Sequence, residues 1–409
     1  MKKLKNLSFT FLGNASLAFS KWVILILIVK ITNAEEVGRY TFSIALTSPL
    51  LLLINMRLRT RYVVEDNLKF KDLKKIRLLL SLLILFLIAI FGYIAYRDLM
   101  IYMILISLIR IIEMQSDLYY AIYHRISDFQ RIGKIQFFRS MITILVFALT
   151  IFITRDVKIA LMSQLVFHVI WLFGIERKSK LLIKEEDTKS SLTLWAIFLA
   201  GVPLAFVQLI NSYNIYIPRY FIEGVLSIEL VGIFAAISYL LTIVDLFMNA
   251  MSQNIILDLK EYISKKQFKQ LKKFILMKMP LISLMLIIAL PITMYIVGED
   301  IINIIYGSEY SKYYLVLVII SISISFNFLS WMYDTTLMAL KIYRSQVYIS
   351  ILTFLVSLIT SYYLINGFGI YGAAFSIVII NFSQMIFKFI LAFYFIRKKE
   401  SNCEDCIYT

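Results

Sequence analysis

Long apolar stretches alternate with short polar ones along nearly the whole chain. About twelve of the apolar stretches reach the roughly 20 residues that a helix needs to cross a hydrocarbon core. The expected spans cover residues 8–30, 37–60, 77–96, 99–122, 135–154, 158–175, 192–222, 229–257, 274–297, 312–339, 345–365 and 370–396. The pattern therefore predicts an all-α membrane protein with about twelve transmembrane helices. A hydrophobic content of 60% agrees, because soluble domains hold about 45–50%.

Positive charge is sorted among the polar stretches. Every second stretch is rich in Lys and Arg, and together these stretches hold 31 of the 42 basic residues but 13 of the 26 acidic ones. This is the positive-inside pattern, so the basic stretches and both termini are expected in the cytoplasm. The net charge of +16 then reflects orientation and contact with anionic lipid head groups. Membrane lipid is an expected partner, and nucleic acid is not.

The two ends of the chain carry weaker signals. The basic start and first apolar run resemble a signal peptide, but Lys21 interrupts the run and no small-residue cleavage site follows, so an uncleaved first span is expected. Cys403 and Cys406 in the tail are expected to be free cytosolic thiols. Two thiols cannot close a four-ligand zinc site, and no metal or other cofactor is expected.

A faint internal repeat appears at an offset of 194 residues. Glu35–Tyr40 matches Glu229–Phe234, and Asn55 then aligns with Asn249 without a gap. Each half holds an even number of spans, so the halves are predicted to be parallel repeats, as in many transporters. The expected division is an N-terminal six-helix bundle over 1–183, a C-terminal six-helix bundle over 184–396 and a cytoplasmic tail over 397–409.

Several spans carry polar residues at helical spacing, which indicates a helix interface or a water-filled cleft. Charged residues inside spans are expensive and usually functional. The sequence places four cations and four acids there: Lys21, Arg110, Arg139 and Lys388, with Glu113, Asp117, Asp245 and Asp334. Arg110 and Glu113 lie three residues apart and are able to neutralise one another, so a structural role is as well supported as a functional one.

Five short segments, in this order and spacing, carry a family resemblance. They are Glu36–Tyr40, Asn214–Tyr220, Glu229–Phe234, Tyr306–Tyr310 and Gly369–Ala374. From about residue 8 to 396 the chain resembles the bacterial polysaccharide flippases of the Wzx type, within the multidrug/oligosaccharidyl-lipid/polysaccharide exporter superfamily. The resemblance implies two six-helix bundles around a central cavity. It also implies that a polyprenyl-pyrophosphate-linked oligosaccharide, for O-antigen or capsule, crosses from the inner to the outer leaflet of the bacterial cell membrane.

The resemblance directs attention to particular polar residues. The pyrophosphate is expected to receive charge-assisted hydrogen bonds from basic residues, and the sugar hydroxyls from amides. The basic candidates are Lys21, Arg57, Arg59, Arg139 and Arg219, and the amide candidates are Asn55, Asn211 and Asn249. Asp245 and Asp334 are candidate carboxylates for a coupling cation, H⁺ or Na⁺. The family's cavity tends to be cationic, whereas the intramembrane charges of this chain balance.

Two other functions fit parts of the pattern. A cation-coupled multidrug exporter of the same fold would use the acids inside the spans but not the arginine cluster of Arg57 and Arg59 at the end of the second span. A membrane-embedded polymerase or glycosyltransferase would need a sizeable outer loop, and the longest outer segment runs only from about Gly298 to Ser311. No phosphate-binding loop of the Gly-x-x-x-x-Gly-Lys-[Ser/Thr] type occurs. The sequence therefore favours a transporter over an enzyme, with the polysaccharide polymerase and chain-length proteins as expected partners.

Overall fold

The structure is a computed structural model of the 409-residue chain. It describes residues 2–65, 68–182, 193–240, 255, 259, 261–340, 342 and 345–404. Every regular element among these residues is a helix.

The described helices are numbered in chain order. They are α1 (Lys2–Ile31), α2 (Ala34–Asn55), α3 (Leu58–Val64), α4 (Phe70–Ala95), α5 (Met100–Arg125), α6 (Phe129–Thr154), α7 (Val157–Gly174), α8 (Leu194–Val225), α9 (Ile228–Tyr239), α10 (Phe268–Lys273), α11 (Met279–Ile305), α12 (Ser308–Ser311), α13 (Tyr314–Ala339) and α14 (Ser345–Glu404). Short 3₁₀ segments cover Arg97–Leu99 and Glu176–Leu182, and a π-helical turn at Phe274–Lys278 leads into α11.

Nine helical segments in the described part of the chain are long and apolar enough to cross a membrane, and one bent pair within α8 makes a tenth. Most of the predicted eighth span, 229–257, lies outside the described residues, which hold only its beginning in α9. Gln346–Ser401 forms one apolar segment of 56 residues, about 84 Å at 1.5 Å per residue, far more than one crossing needs. Gly369 breaks it, with φ of 58° and ψ of −136°, between the two predicted spans 345–365 and 370–396.

The chain forms two compact units, Met1–Ser212 and Tyr213–Thr409. The first part of α8 packs into the first unit, where Arg61 Nη1 donates a hydrogen bond to the carbonyl oxygen of Ile197 at 2.8 Å. Ile197 is buried there in a core that also contains Met56. The predicted boundary at 183/184 lies within 183–192, outside the described residues, so the division into 1–183 and 184–396 stays a prediction.

Helix ends in the two units coincide at the offset of the sequence repeat. The equivalent positions, 194 residues apart, are Ile31 and Val225 at the ends of α1 and α8, Asn33 and Ser227 at the N-caps, and Ala34 and Ile228 at the starts of α2 and α9. Asn33 Oδ1 accepts from the backbone N–H of Glu36, and Ser227 Oγ accepts from that of Leu230. The same capping hydrogen bond therefore fixes both helix starts.

In the first unit, α1 and α6 approach closely at two glycines. A Cβ atom built on Gly133 would meet the carbonyl oxygen of Phe9, and one built on Gly13 would meet the side chain of Gln136. Small residues let membrane helices pack backbone against backbone. This contact brings the polar residues of α1 and α6 to the same interior.

Candidate functional site

The interior of the first unit contains a small, partly open pocket. Side chains of α1, α2, α5, α6 and α7 line it. Its charged lining consists of Lys21, Arg110 and Arg139 against one carboxylate, Glu113. Three of the four cations that the sequence places inside spans thus share one pocket. The lining carries a positive excess, unlike the balanced sum over all spans.

Glu113 joins two of these cations. Its Oε2 atom accepts from Arg110 Nη1 at 2.9 Å and lies 3.5 Å from Lys21 Nζ. The predicted pair between Arg110 and Glu113 is confirmed, and Lys21 from α1 adds a second cation that sequence spacing did not reveal. These three side chains are 21–35% exposed, so both solvent and a ligand can reach them.

The third cation, Arg139, is paired with a buried carboxylate that does not line the pocket. Arg139 Nη1 lies 3.4 Å from Glu176 Oε1, and the hydroxyl of Tyr120 donates to the same oxygen. Glu176 is fully buried in the 3₁₀ segment that follows α7. Its second oxygen, Oε2, is buried without a hydrogen-bond partner among the described residues. Arg139 is therefore fixed between this acid and the pocket.

A histidine completes the support of Arg139. His168 Nδ1 lies 3.3 Å from Arg139 Nη2, and its Nε2 lies 3.1 Å from Thr143 Oγ1. A guanidinium only donates, so Nδ1 must accept. The Thr143 hydroxyl already donates to the carbonyl oxygen of Arg139, so it accepts from Nε2–H. This arrangement is satisfied by a neutral imidazole protonated on Nε2.

The arginine cluster predicted at the end of the second span lies outside the pocket lining. Arg59 Nη1 donates to Asp117 Oδ1 at 2.8 Å, while Arg57 is exposed at the junction of α2 and α3 with φ of 50°. Asn55 contributes its carbonyl oxygen, which accepts from Arg77 Nη2 at 3.4 Å. These residues form ion-pair and backbone contacts of their own.

Candidates of the second unit and of α8 fall in other surroundings. Asp334 Oδ1 lies 3.6 Å from Lys388 Nζ and accepts from Gln346 Nε2 at 3.1 Å. The Arg219 guanidinium lies over the Tyr216 ring at 5.2 Å. Neither these residues nor Asn211, an exposed residue of α8, line the pocket. Asp245 and Asn249 lie outside the described residues.

Sequence reasoning missed two buried charges, Glu176 and Arg77. Both belong to stretches that the charge pattern assigns to the cytoplasm, yet both are fully buried. Arg77 donates to the carbonyl oxygen of Met114 in addition to that of Asn55. A buried guanidinium needs a hydrogen-bond acceptor. The spacing of residues in the sequence does not show which acceptor lies close enough to Arg77. Within the described residues, no group of three His, Cys, Asp or Glu side chains could hold a metal ion.

Comparisons with known proteins agree on the fold. No protein-family model matches the chain. The chain is 27% identical to a capsular polysaccharide biosynthesis protein, CapF, of Staphylococcus aureus, over 94% of this chain and 97% of the relative. Among solved structures it is similar to the lipid II flippase MurJ in an inward closed conformation, with a TM-score of 0.72 at 14% identity over 95% of this chain and 90% of that one. It is also similar to an inward-facing multidrug resistance MATE transporter of the MOP superfamily, with a TM-score of 0.66 at 14% identity over 98% and 96% of the two chains.

These likenesses confirm the predicted fold class and the resemblance noted from the sequence. This chain is an all-α, multi-pass membrane protein with the fold of the MOP-superfamily transporters, and it is similar along nearly its whole length to a capsular polysaccharide biosynthesis protein.

Proposed function

We propose that the protein is a flippase that moves a polyprenyl-pyrophosphate-linked oligosaccharide from the cytoplasmic to the outer leaflet of the bacterial cell membrane, for surface polysaccharide synthesis. It works by alternating access, with no enzymatic step. The sequence relative is named for capsular polysaccharide biosynthesis, and the structural relative MurJ is a flippase of lipid II, which supports a lipid-linked cargo. Both termini lie in the cytoplasm, as the positive-inside pattern indicates.

The observation that carries this proposal is the cationic pocket of the first unit. Lys21, Arg110 and Arg139 converge there on a space with one carboxylate in its lining. A pyrophosphate carries several negative charges and multiple acceptor oxygens, so a cluster of guanidinium and ammonium donors suits it. A site for cationic drugs would show the opposite balance of charge.

Transport in one direction needs a coupling ion or a gradient of cargo. A ligand shifts a conformational equilibrium only by its different affinity for the two states. Asp245 and Asp334 are the proposed coupling carboxylates, and Asp245→Asn is expected to abolish export while membrane insertion remains intact. Asn55, Asn211 and Asn249 are the proposed sugar contacts.

Translocation of a fluorescent lipid-linked oligosaccharide in reconstituted vesicles tests the function. The wild-type chain should expose the cargo to an impermeant quencher, and Lys21→Gln or Arg110→Gln should each slow translocation about tenfold or more, since a hydrogen bond to a charged group contributes about 1.5–3 kcal/mol. Lys265→Gln is the matched control, because Lys265 is an exposed cation paired with Glu261 outside the pocket. Equal loss in all variants, or no translocation by the wild type, would refute the proposal.

The likeness to MATE transporters keeps a multidrug exporter as the second candidate. The two functions separate in a deletion strain. Loss of surface polysaccharide with unchanged drug resistance supports the flippase, whereas drug sensitivity with normal polysaccharide supports the exporter. Chain extension of lipid-linked repeats by the purified protein would instead indicate a polymerase.

A further inference from the structure

We propose that Glu113 is an internal competitor of the anionic substrate: its carboxylate pairs with Lys21 and Arg110 and is displaced when a phosphate group binds. The identity of the phosphate-bearing substrate rests on the proposed function. The competition itself rests on the geometry of the pocket.

One carboxylate oxygen makes the contacts that a phosphate oxygen would make. Glu113 Oε2 receives Arg110 Nη1 from its own helix, α5, and faces Lys21 Nζ from α1. Two cations from different helices thus converge on a single anionic oxygen. Phosphate oxygens accept the same charge-assisted hydrogen bonds with similar geometry, so the carboxylate and a phosphate compete for the same donors.

Solvent exposure distinguishes Glu113 from Glu176, the other acid near the pocket. Glu113 is 21% exposed and lines the pocket, whereas Glu176 is 0% exposed and lies behind Arg139. An incoming anion reaches Arg110 and Lys21 directly, but it cannot displace Glu176 without opening the protein. Glu113 is therefore the exchangeable acid, and Glu176 is the fixed support.

An exchangeable acid suits a transporter. Binding must be strong enough for cargo to enter and weak enough for it to leave, as in ion channels. A carboxylate that returns to Lys21 and Arg110 repels the bound phosphate and takes over its partners. Glu113 therefore lowers affinity in order to make release fast.

Binding of inorganic pyrophosphate to the purified full-length protein, measured by calorimetry, tests this. Glu113→Gln keeps the shape and the acceptor oxygen but removes the charge that repels the anion, so Kd should fall about tenfold, equivalent to about 1.4 kcal/mol. Asp117→Asn is the control, since it removes the same charge one turn along α5 from a residue outside the pocket lining. Asp117→Asn should change Kd less than Glu113→Gln does. Glu113→Asp keeps the negative charge, so its Kd should be closer to the wild-type value than that of Glu113→Gln.

A second measurement uses the wild-type chain and does not depend on the folding of a variant. A carbodiimide should couple Lys21 Nζ to the Glu113 carboxylate as an amide, since the two atoms lie 3.5 Å apart. The cross-link, detected by mass spectrometry, should decrease as pyrophosphate is added. A cross-link that persists at saturating pyrophosphate, or a folded Glu113→Gln protein with unchanged or weaker affinity, would overturn the inference.

The vesicle assay keeps the two proposals separate. If the wild type translocates the lipid-linked cargo but Glu113→Gln does not bind pyrophosphate more tightly, only the inference about Glu113 fails. If the wild type does not translocate the cargo but the affinity gain appears, the flippase function fails and the pocket serves another anionic substrate.

Discussion

Arg139 Nη1 lies 3.4 Å from Glu176 Oε1, and the two side chains are 4% and 0% exposed. The pair joins α6 to the segment that follows α7, with the Tyr120 hydroxyl on the same carboxylate oxygen. Desolvation makes such a pair costly to form, and removal of one partner leaves an uncompensated buried charge. The Arg139–Glu176 pair therefore stabilises the side of the pocket that Arg139 lines.

Neutralising Glu176 should destabilise the first unit strongly. Glu176→Gln leaves Arg139 without its carboxylate, and the expected loss is about 3–5 kcal/mol in the free energy of unfolding. Equilibrium unfolding in detergent micelles measures it. Adding Arg139→Gln should recover part of the loss, because the unpaired cation is gone, while translocation stays low. A double variant less stable than the single one would contradict this account.

The Arg59–Asp117 pair should matter far less to stability. Its N–O distance of 2.8 Å is shorter, but the side chains are 24% and 35% exposed. Half-exposed pairs contribute about 0–1 kcal/mol, so Asp117→Asn should shift the unfolding free energy by no more than about 1 kcal/mol. The same unfolding experiment decides, and a loss equal to that of Glu176→Gln would show that distance outweighs burial here.

Gly133 should not tolerate a methyl group. Its Cβ would meet the backbone carbonyl of Phe9, so Gly133→Ala must push α1 away from α6. Overpacking of this kind costs about 1–3 kcal/mol, and the yield of monodisperse protein should decrease. Gly174→Ala is the control, because no atom beyond the adjoining backbone of its own helix lies within 4 Å of its Cβ position. Equal yields for the two variants would show that the helices separate easily.

Gly369 should be irreplaceable at the break in α14. Its φ of 58° with ψ of −136° is open to glycine but strained for residues with a Cβ. Gly369→Ala should cost about 1–3 kcal/mol, seen as a lower melting temperature in detergent. Gly367→Ala, two residues earlier in open space, should have a smaller effect. The reverse order of the two melting temperatures would refute the conformational explanation.

Lys388 should influence any role of Asp334 in ion coupling. Its ammonium lies 3.6 Å from the Asp334 carboxylate and already supplies a positive charge. In Lys388→Met that charge is absent, so the carboxylate should recruit a proton or Na⁺ from solution. Translocation by this variant should become more dependent on Na⁺ or pH than that of the wild type. Asp334→Asn should show no added dependence, and ion-independent transport by Lys388→Met would exclude Asp334 as the coupling acid.

The fold was largely predictable because it depends on length and periodicity. Apolar runs of sufficient length predict helices that cross a membrane, and the nine or ten spans of the described residues follow them. The sequence string that begins at Gly369 also has a local explanation. Gly369 takes a positive φ, and a Cβ on Gly372 would meet the carbonyl oxygen of Leu364. A break of this kind between two spans can therefore be recognised from its glycines in the sequence.

The site was only partly predictable, because it depends on contacts between helices. Lys21 and Arg139 were selected as charges inside spans, and they share the pocket. Arg57 and Arg59 were selected by their clustering, which says nothing about the direction of each side chain. Glu176 was assigned to a cytoplasmic loop by its place in a charged stretch. Composition identifies a stretch, but only tertiary packing decides which of its residues turns inward.

The equivalent ends of α1 and α8, at Ile31 and Val225, bear on the history of the molecule. In the same register Lys21 of the pocket corresponds to Ile215, an exposed apolar residue. Such a pattern is what duplication and fusion of one ancestral gene segment leaves behind once the copies diverge. The two halves share the positions of these helix ends but differ in side-chain chemistry at this position, where one has an ammonium group and the other a hydrocarbon.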